Sequence, residues 1–357
     1  MTAPFCAVIV AGGAGTRLWP RSRRASPKHV LDLEGTGTPL IRAAHDRVAG
    51  LADEVLVLTE ARQESMVLAA LPGLTRESLI LEPAARGTTS ALALAAMELA
   101  ERDPQTVMMS LPADHIIGAG AAFRTVVKRA VAAARAADSI VLVGLRPTGP
   151  STALGYVEAS RPVTAGRVRA LEVARFVEKP DLERARAYVA GGHHYWNLAM
   201  FCFRVGVFLE ELAEHAPEHH AGVSRVLQAR RRGDEAEAAR IYATLPTDAI
   251  DYTVMERSRR LILVPASFRW ADVGSWPEVA GILSGDAHGN SVAGDAELID
   301  THRSLLLAPG KLVAAIGVED LILIDTEDAI LLCHRSRAQD VKRVVEALGR
   351  TGRIKYL

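Results

Sequence analysis

Cysteine is scarce in this chain: Cys6, Cys202 and Cys333 are the only three in 357 residues. They lie far apart in apolar runs, so neither a disulfide framework nor a CxxC metal pair can be built, and they read as buried, reduced thiols. Net charge is also missing. Lys+Arg and Asp+Glu each number 42, which removes the electrostatic basis for general affinity to nucleic acid or anionic membranes. No uninterrupted apolar stretch approaches the roughly 20 residues of a membrane span, and no basic segment precedes the first apolar run as in a secretory leader. A soluble, cytoplasmic protein is the expectation. What is plentiful is core material: hydrophobic residues make up 49% of the chain, too many for disorder.

Up to about residue 150, strand and helix patterns alternate. Apolar strand candidates fall at Cys6–Val10, Glu54–Thr59, Leu79–Leu81, Val107–Leu111 and Ile140–Gly144. Between them, Leu40–Val48, Ser90–Glu101 and Ala121–Ala136 carry apolar residues at helical spacing. This order predicts an α/β fold with a Rossmann-like, mixed but mostly parallel sheet flanked by helices. Ligands then bind beyond the carboxyl ends of the strands. From Gly155 to about Arg269 the rhythm loosens: strands at Tyr156–Ala159, Val168–Glu178 and Leu261–Pro265, and helices at Asp181–Ala190, Phe208–His215, Gly222–Arg231 and Asp234–Ala243. The arginine-rich run before Asp234 reads as a solvated helical pair, not a nucleic-acid patch, because acids are interleaved. After about Leu283, apolar runs recur roughly every eight residues, between Glu297 and His334. They predict a small β-rich appendage resembling one or two β-helix turns, closed by a helix over Ser336–Gly349. The expected division is a catalytic unit over 1–283 and an appendage over 284–357.

The segment Val8–Arg24, VIVAGGAGTRLWPRSRR, carries the strongest chemical signal. A strand runs into Gly12, Gly13 and Gly15, which let backbone N–H groups approach a phosphate, and arginines follow to supply bidentate donors. It is not a Walker A loop, because no Lys-Ser or Lys-Thr follows. It is not a dinucleotide fingerprint either, since Leu18 holds the third glycine position, which disfavours an NAD-linked oxidoreductase. Arg17 after the turn and Lys28, held by Pro27, can surround a triphosphate from two sides.

AGGxGTRLWPxSR followed by Pro27-Lys28 closely resembles the mannose-1-phosphate guanylyltransferases, a branch of the sugar-phosphate nucleotidylyltransferases. Trp19-Pro20 tilts the resemblance towards the guanylyl branch. Further matches follow in family order: Glu82-Pro83-x-x-Arg86-Gly87-Thr88, Leu111–His115, Phe176–Pro180, Trp196-Asn197, Ile250–Tyr252 and Trp270–Trp276. The resemblance implies Mg²⁺-dependent attack of α-D-mannose 1-phosphate on the α-phosphorus of GTP, giving GDP-mannose and pyrophosphate without a covalent protein intermediate.

It also implies roles for residues. Gly12, Gly13, Gly15, Thr16, Arg17 and Lys28 would hold the triphosphate, with Arg17, Lys28 and Lys179 as the catalytic cations. Glu82, Arg86, Gly87 and Thr88 would frame the guanine. Gly155, Glu178, Lys179 and Asn197 would hold the sugar phosphate. Asp114 and Asp272, each at a predicted strand end, can hold Mg²⁺ between the two reactants. Two departures bear on sugar choice: His29 stands where the branch usually has Gln, and Leu154 where tyrosine or a small residue is common. The pairs His193-His194 and His219-His220 read as surface histidines, because adjacent side chains diverge. Rival readings are the same chemistry on glucose or heptose 1-phosphate, and a non-catalytic nucleotide- or sugar-phosphate-binding regulator. Exposed edges of the appendage, together with the resemblance, point to a homodimer.

Overall fold

The computed structural model describes residues 3–13, 15–118 and 120–357. Its strands are β1 (Phe5–Ala11), β2 (Glu54–Glu60), β3 (Leu79–Glu82), β4 (Val107–Pro112), β5 (His115–Ile117), β6 (Ile140–Leu145), β7 (Tyr156–Ala165), β8 (Val168–Val177), β9 (His194–Arg204), β10 (Leu261–Ala266) and β11 (Trp270–Asp272). Nine of these form one sheet in the order β3-β2-β1-β4-β9-β6-β10-β8-β7, while β5 and β11 pair separately. Strands β1–β4, β6, β7 and β10 run one way and only β8 and β9 run the other.

Strand β9 is the main departure from the pattern read in the sequence, where 194–204 carried no strand. It lies antiparallel between β4 and β6, in the middle of the sheet. That reversal matters for the site. It brings the first residues of β9, including Asn197, to the edge where β1, β2, β3 and β4 end.

Helices cover both faces. Alternation along β1 sends Cys6 and Val8 to one face and Ala7 and Ile9 to the other. On the first face lie α3 (Gly87–Arg102), α6 (Val205–His215), α7 (Pro217–Arg231) and α8 (Glu235–Ala243); on the second lie α1 (Leu40–Val48), the unexpected short α2 (Glu64–Ala70) and α4 (Ala121–Ala136). Helix α3 is buried nearly all round, which its small residues Ala91, Ala93, Ala95 and Ala96 permit. Helix α5 (Leu182–Gly191) is capped by Asp181, whose carboxylate accepts from Arg184 N. Among the described residues, no helix is long and apolar enough to cross a membrane.

After α9 (Trp276–Ile282) the appendage follows, with β12 (Ser291–Ile299), β13 (Leu305–Ile316), β14 (Leu321–Asp325) and β15 (Ile330–His334), then α10 (Val341–Arg350). The apolar runs Ser304–Leu307 and Leu312–Ile316, separate in the sequence pattern, merge into one strand, β13, bent around Pro309–Lys311. Strands β12, β13 and β14 pair in parallel although residues 300–304 alone link the first two. Ordinary parallel neighbours need a crossover of a dozen residues or more; here the chain instead winds as a β-helix coil. Asp300, Arg303 and Asp320 take positive φ at its corners.

The appendage docks on the glycine loop through a third core. Leu18, Trp19, Val273 and Trp276 pack there with Leu305, Ile322, Val341 and Leu348. Trp276 Nε1 donates to Trp19 O (3.0 Å), and Trp19 Nε1 donates to Tyr356 O (2.9 Å). The tryptophan that marks the loop in sequence is therefore a buried strut tying the loop to the C-terminal segment. Cys6 and Cys202 are buried as expected, but Cys333 is only half-buried.

Candidate active site

Strand β1 ends in the glycine loop. Gly13 and Gly15 have φ of 92° and 55°, values that side chains disfavour. At Gly15 space is also decisive: an added Cβ would lie 2.7 Å from both Lys28 Cβ and Ser22 Oγ. The glycine thus lets Lys28 pack beneath the loop, where it is 6% exposed. Thr16 and Arg17 follow in a short 3₁₀ turn, and Arg17 Nη1 donates to Gln339 Oε1 of the appendage at 3.0 Å.

Lys28 Nζ lies 2.7 Å from Asp114 Oδ2 and 3.5 Å from Asp272 Oδ1. The two carboxylates meet because β5 and β11 pair antiparallel with Asp272 opposite His115, next to Asp114. Burial alone would raise the Asp114 pKa, but Lys28, with His115 and His29, outweighs it and holds the carboxyl below its usual range. Two half-exposed carboxylates converging from separate strands make an oxygen-only donor set that fits a hard cation such as Mg²⁺. His115, which has no role in the sequence reading, is buried here. Its Nδ1 lies 3.2 Å from the Trp270 indole N–H, which assigns the ring proton to Nε2, and burial lowers its pKa. His29 is buried next to Lys28, and desolvation pushes its pKa down to about 4.

A cavity of about 400 Å³ opens beside this cluster, lined by Gly12, Gly13, Glu82, Arg86, Gly87, Thr88 and Asp114 among the expected residues. Glu60, Ser110, Phe201 and Asp251 also line it and were not expected. Gly87 has φ 73°, and a Cβ there would overlap the carbonyl oxygen of Asp248. Glu82 is buried at the cavity wall with Tyr242 Oη donating to Oε1 at 2.6 Å; burial nevertheless pushes its pKa up to about 7.

A second polar cluster meets the cavity at Asp251. Asn197 N donates to Gly155 O at 2.8 Å, and a Cβ on Gly155 would overlap Glu178 Oε2. Lys179 Nζ lies 2.7 Å from Glu178 Oε1, and Lys179 itself has φ 47°, so the backbone turns sharply to present it. Partial burial pulls the Lys179 pKa down, but the bond to Glu178 and the nearby acids outweigh this and raise it. Asn197 Nδ2 donates to Asp251 Oδ1 at 3.1 Å. Desolvation first, and then the Glu178 charge, push the Asp251 carboxyl up. Asp251 and Glu256, which accepts from Glu178 N at 2.8 Å, were missed as site residues. Asp251 stood in a matched run, but nothing in one sequence shows that it meets Asn197. The surface reading of His219 is overturned: it is buried, between Ser90 and Asp248.

Comparison with known proteins matches residues 6–286 to a nucleotidyl transferase family model and residues 294–348 to a MannoseP isomerase/GMP-like beta-helix domain. The chain is 39% identical over 361 residues to a mannose-1-phosphate guanylyltransferase of Escherichia coli K12, covering 97% of this chain and 74% of that one. It is 38% identical to the alginate biosynthesis protein AlgA of Pseudomonas aeruginosa, with 97% of this chain and 72% of that one covered. A crystal structure of a mannose-1-phosphate geranyltransferase from Thermus thermophilus superimposes with a TM-score of 0.86 at 32% identity, covering 97% of this chain and 99% of that one.

Proposed function

The chain belongs to the nucleotidyl transferase family, and from that premise we propose that it transfers GMP from GTP to α-D-mannose 1-phosphate, releasing pyrophosphate and GDP-mannose. One observation carries the reading: Lys28 joins Asp114 and Asp272 beside a cavity sized for a base, and Asp251 on the wall of that cavity accepts from Asn197 of a cluster rich in sugar-binding groups. The relatives named as guanylyltransferases supply the sugar and the nucleotide.

In this reading the guanine lies in the cavity against Glu82. Guanine offers adjacent donors at N1 and N2, which suit a carboxylate, while adenine turns an acceptor at N1 towards it and offers a donor only at N6. The glycine loop and Thr16 hold the triphosphate, with Arg17 and Lys28 drawing charge from the leaving pyrophosphate. Asp114 and Asp272 would hold Mg²⁺, which when bound neutralises charge between the two anionic reactants. Lys179 holds the sugar phosphate, while Glu178, Asn197 and the Gly155 N–H fix the hydroxyls and aim the attacking oxygen in line.

The catalytic unit spans 1–283 and the appendage 284–357 in this proposal, and the protein works as a cytoplasmic homodimer. Exposed Leu312, Ile316, Ile330 and Leu332 on the appendage support the dimer, since lone surface leucines are ordinary but a group on one small sheet invites a partner. The deciding experiment follows pyrophosphate release with Mg²⁺, a panel of nucleoside triphosphates and a panel of hexose and heptose 1-phosphates. The expected result is the highest kcat/KM for GTP with mannose 1-phosphate. Protein inert with every pair overturns the reading, and a higher value for another sugar reassigns the substrate.

A further inference from the structure

Beside the base cavity, three residues form a polar chain that the proposed chemistry does not use. Ser90 Oγ, in the first turns of α3, lies 2.9 Å from His219 Nδ1 on α7, and His219 Nε2 lies 3.0 Å from Asp248 Oδ2. The order Ser-His-Asp resembles a hydrolase triad, but Ser90 is 0% exposed, so its hydroxyl cannot meet a substrate. What the chain does is mechanical. A neutral imidazole accepts on one nitrogen and donates on the other, so it can join a hydroxyl to a carboxylate with both bonds satisfied.

The carboxylate it holds belongs to a segment stitched along the start of α3. Asp248 O accepts from Thr89 N (3.2 Å) and from Thr89 Oγ1 (3.0 Å), in the space that Gly87 leaves open. Ile250 N donates to Thr88 Oγ1 at 2.9 Å. The next residue, Asp251, lines the cavity and accepts from Asn197 on the sugar side. Segment 248–251 therefore touches both halves of the site, and His219 is the buried side chain that anchors it to α3 from behind.

We propose that His219 is a positioning residue that fixes segment 248–251, and through it both the base wall at Gly87–Thr88 and Asp251. The kinetic part of this proposal rests on the reading of the cavity as the GTP base pocket. The test compares His219→Ala, His219→Gln and Asp248→Ala with the parent protein. Amide hydrogen exchange of residues 248–251 is measured without nucleotide, alongside KM and kcat for GTP and mannose 1-phosphate. His219→Ala should speed exchange of these amides at least tenfold and raise KM for GTP about tenfold, with kcat changed less than threefold. His219→Gln, whose amide can still donate to Asp248, should bring KM back to within threefold of the parent. Asp248→Ala alters a half-exposed side chain, so it tests the same link should His219→Ala not fold. Unchanged exchange at 248–251 in variants that are merely less heat-stable overturns the proposal. A parent protein inert with GTP and mannose 1-phosphate would overturn the functional reading alone, since the exchange data still decide the role of His219.

Discussion

Lys28 and Asp114, 86 residues apart in sequence, are joined by a 2.7 Å ion pair. The lysine is nearly buried under Gly15, and the aspartate stands just beyond the end of β4. A buried ammonium needs its partner, because an unpaired charge in such a place costs several kcal/mol. The pair also sets the protonation of the site, holding Asp114 ionised where burial alone would favour its acid form. The glycine loop and the carboxylates are thus one electrostatic unit.

Lys28→Met separates these effects. In the proposed reaction it should lower kcat about 100- to 1000-fold, the usual range for losing one preorganised charge contact. Its effect on stability should depend on pH. The Asp114 pKa is depressed in the native state, so its stabilising contribution is full above the ordinary carboxylate pKa of about 4 and fades as pH falls through the native value. The stability gap between parent and variant in urea titrations should therefore narrow below about pH 4. A gap constant from pH 7 to pH 3 would contradict the pairing. Asp114→Asn should likewise lose turnover while still binding GTP measurably by calorimetry.

Glu82 gives the opposite sign. Burial raises its pKa from 4.5 to about 7, so between those values the native state keeps a proton that the unfolded chain has released. Its destabilising effect is absent at low pH, grows as pH rises through this window and is complete above it. Glu82→Gln should therefore be more stable than the parent by on the order of 3 kcal/mol at pH 8, and by little at pH 4. KM for GTP should fall as pH rises through 7 in the parent and stay flat in the variant. Equal stability of the two proteins at every pH would remove the buried charge from the account.

Gly155 is a site where space decides. A methyl group there meets the Glu178 carboxylate, which would have to shift and disturb its ion pair with Lys179. Gly155→Ala should raise KM for the sugar phosphate about tenfold, roughly the cost of misplacing one polar contact. Affinity for GTP, measured by calorimetry, should stay within twofold. A matching loss of GTP affinity would show that the change spreads across the whole cleft.

Much of this arrangement was legible in the sequence because its signals are local. Glycines followed by Arg17 mark a phosphate loop, short and nearly continuous apolar runs mark β1, β2 and β4, and an aspartate just after a strand faces the crevice. What was illegible depends on pairing across the sheet. Strand β9 carries both polar and apolar residues, and only its place between β4 and β6 makes it a central strand. Asp251 and His115 gain their surroundings from residues 54 and 155 positions away. Trp19 marks the guanylyl branch in the sequence, and in the fold its indole faces the C-terminal segment and donates to Tyr356 O. No local pattern reveals a contact of that range.

The same contact makes the appendage part of the loop's support, and the exposed apolar side chains of its sheet are a separate matter. Leu312, Ile316, Ile330 and Leu332 are each more than 60% exposed, and Leu332 stands on β15, at one edge of the appendage sheet. Covering exposed apolar area is worth about 25 cal/mol per Å², so burying these large side chains against a partner can supply several kcal/mol towards association. Charge there should abolish the proposed dimer without touching the third core, because none of the four belongs to it. Leu312→Glu combined with Leu332→Glu should convert a dimer to a monomer in multi-angle light scattering, with the melting temperature of the folded monomer lowered by only a few degrees. Parent protein that is already monomeric at micromolar concentration would rule out these side chains as a self-association surface.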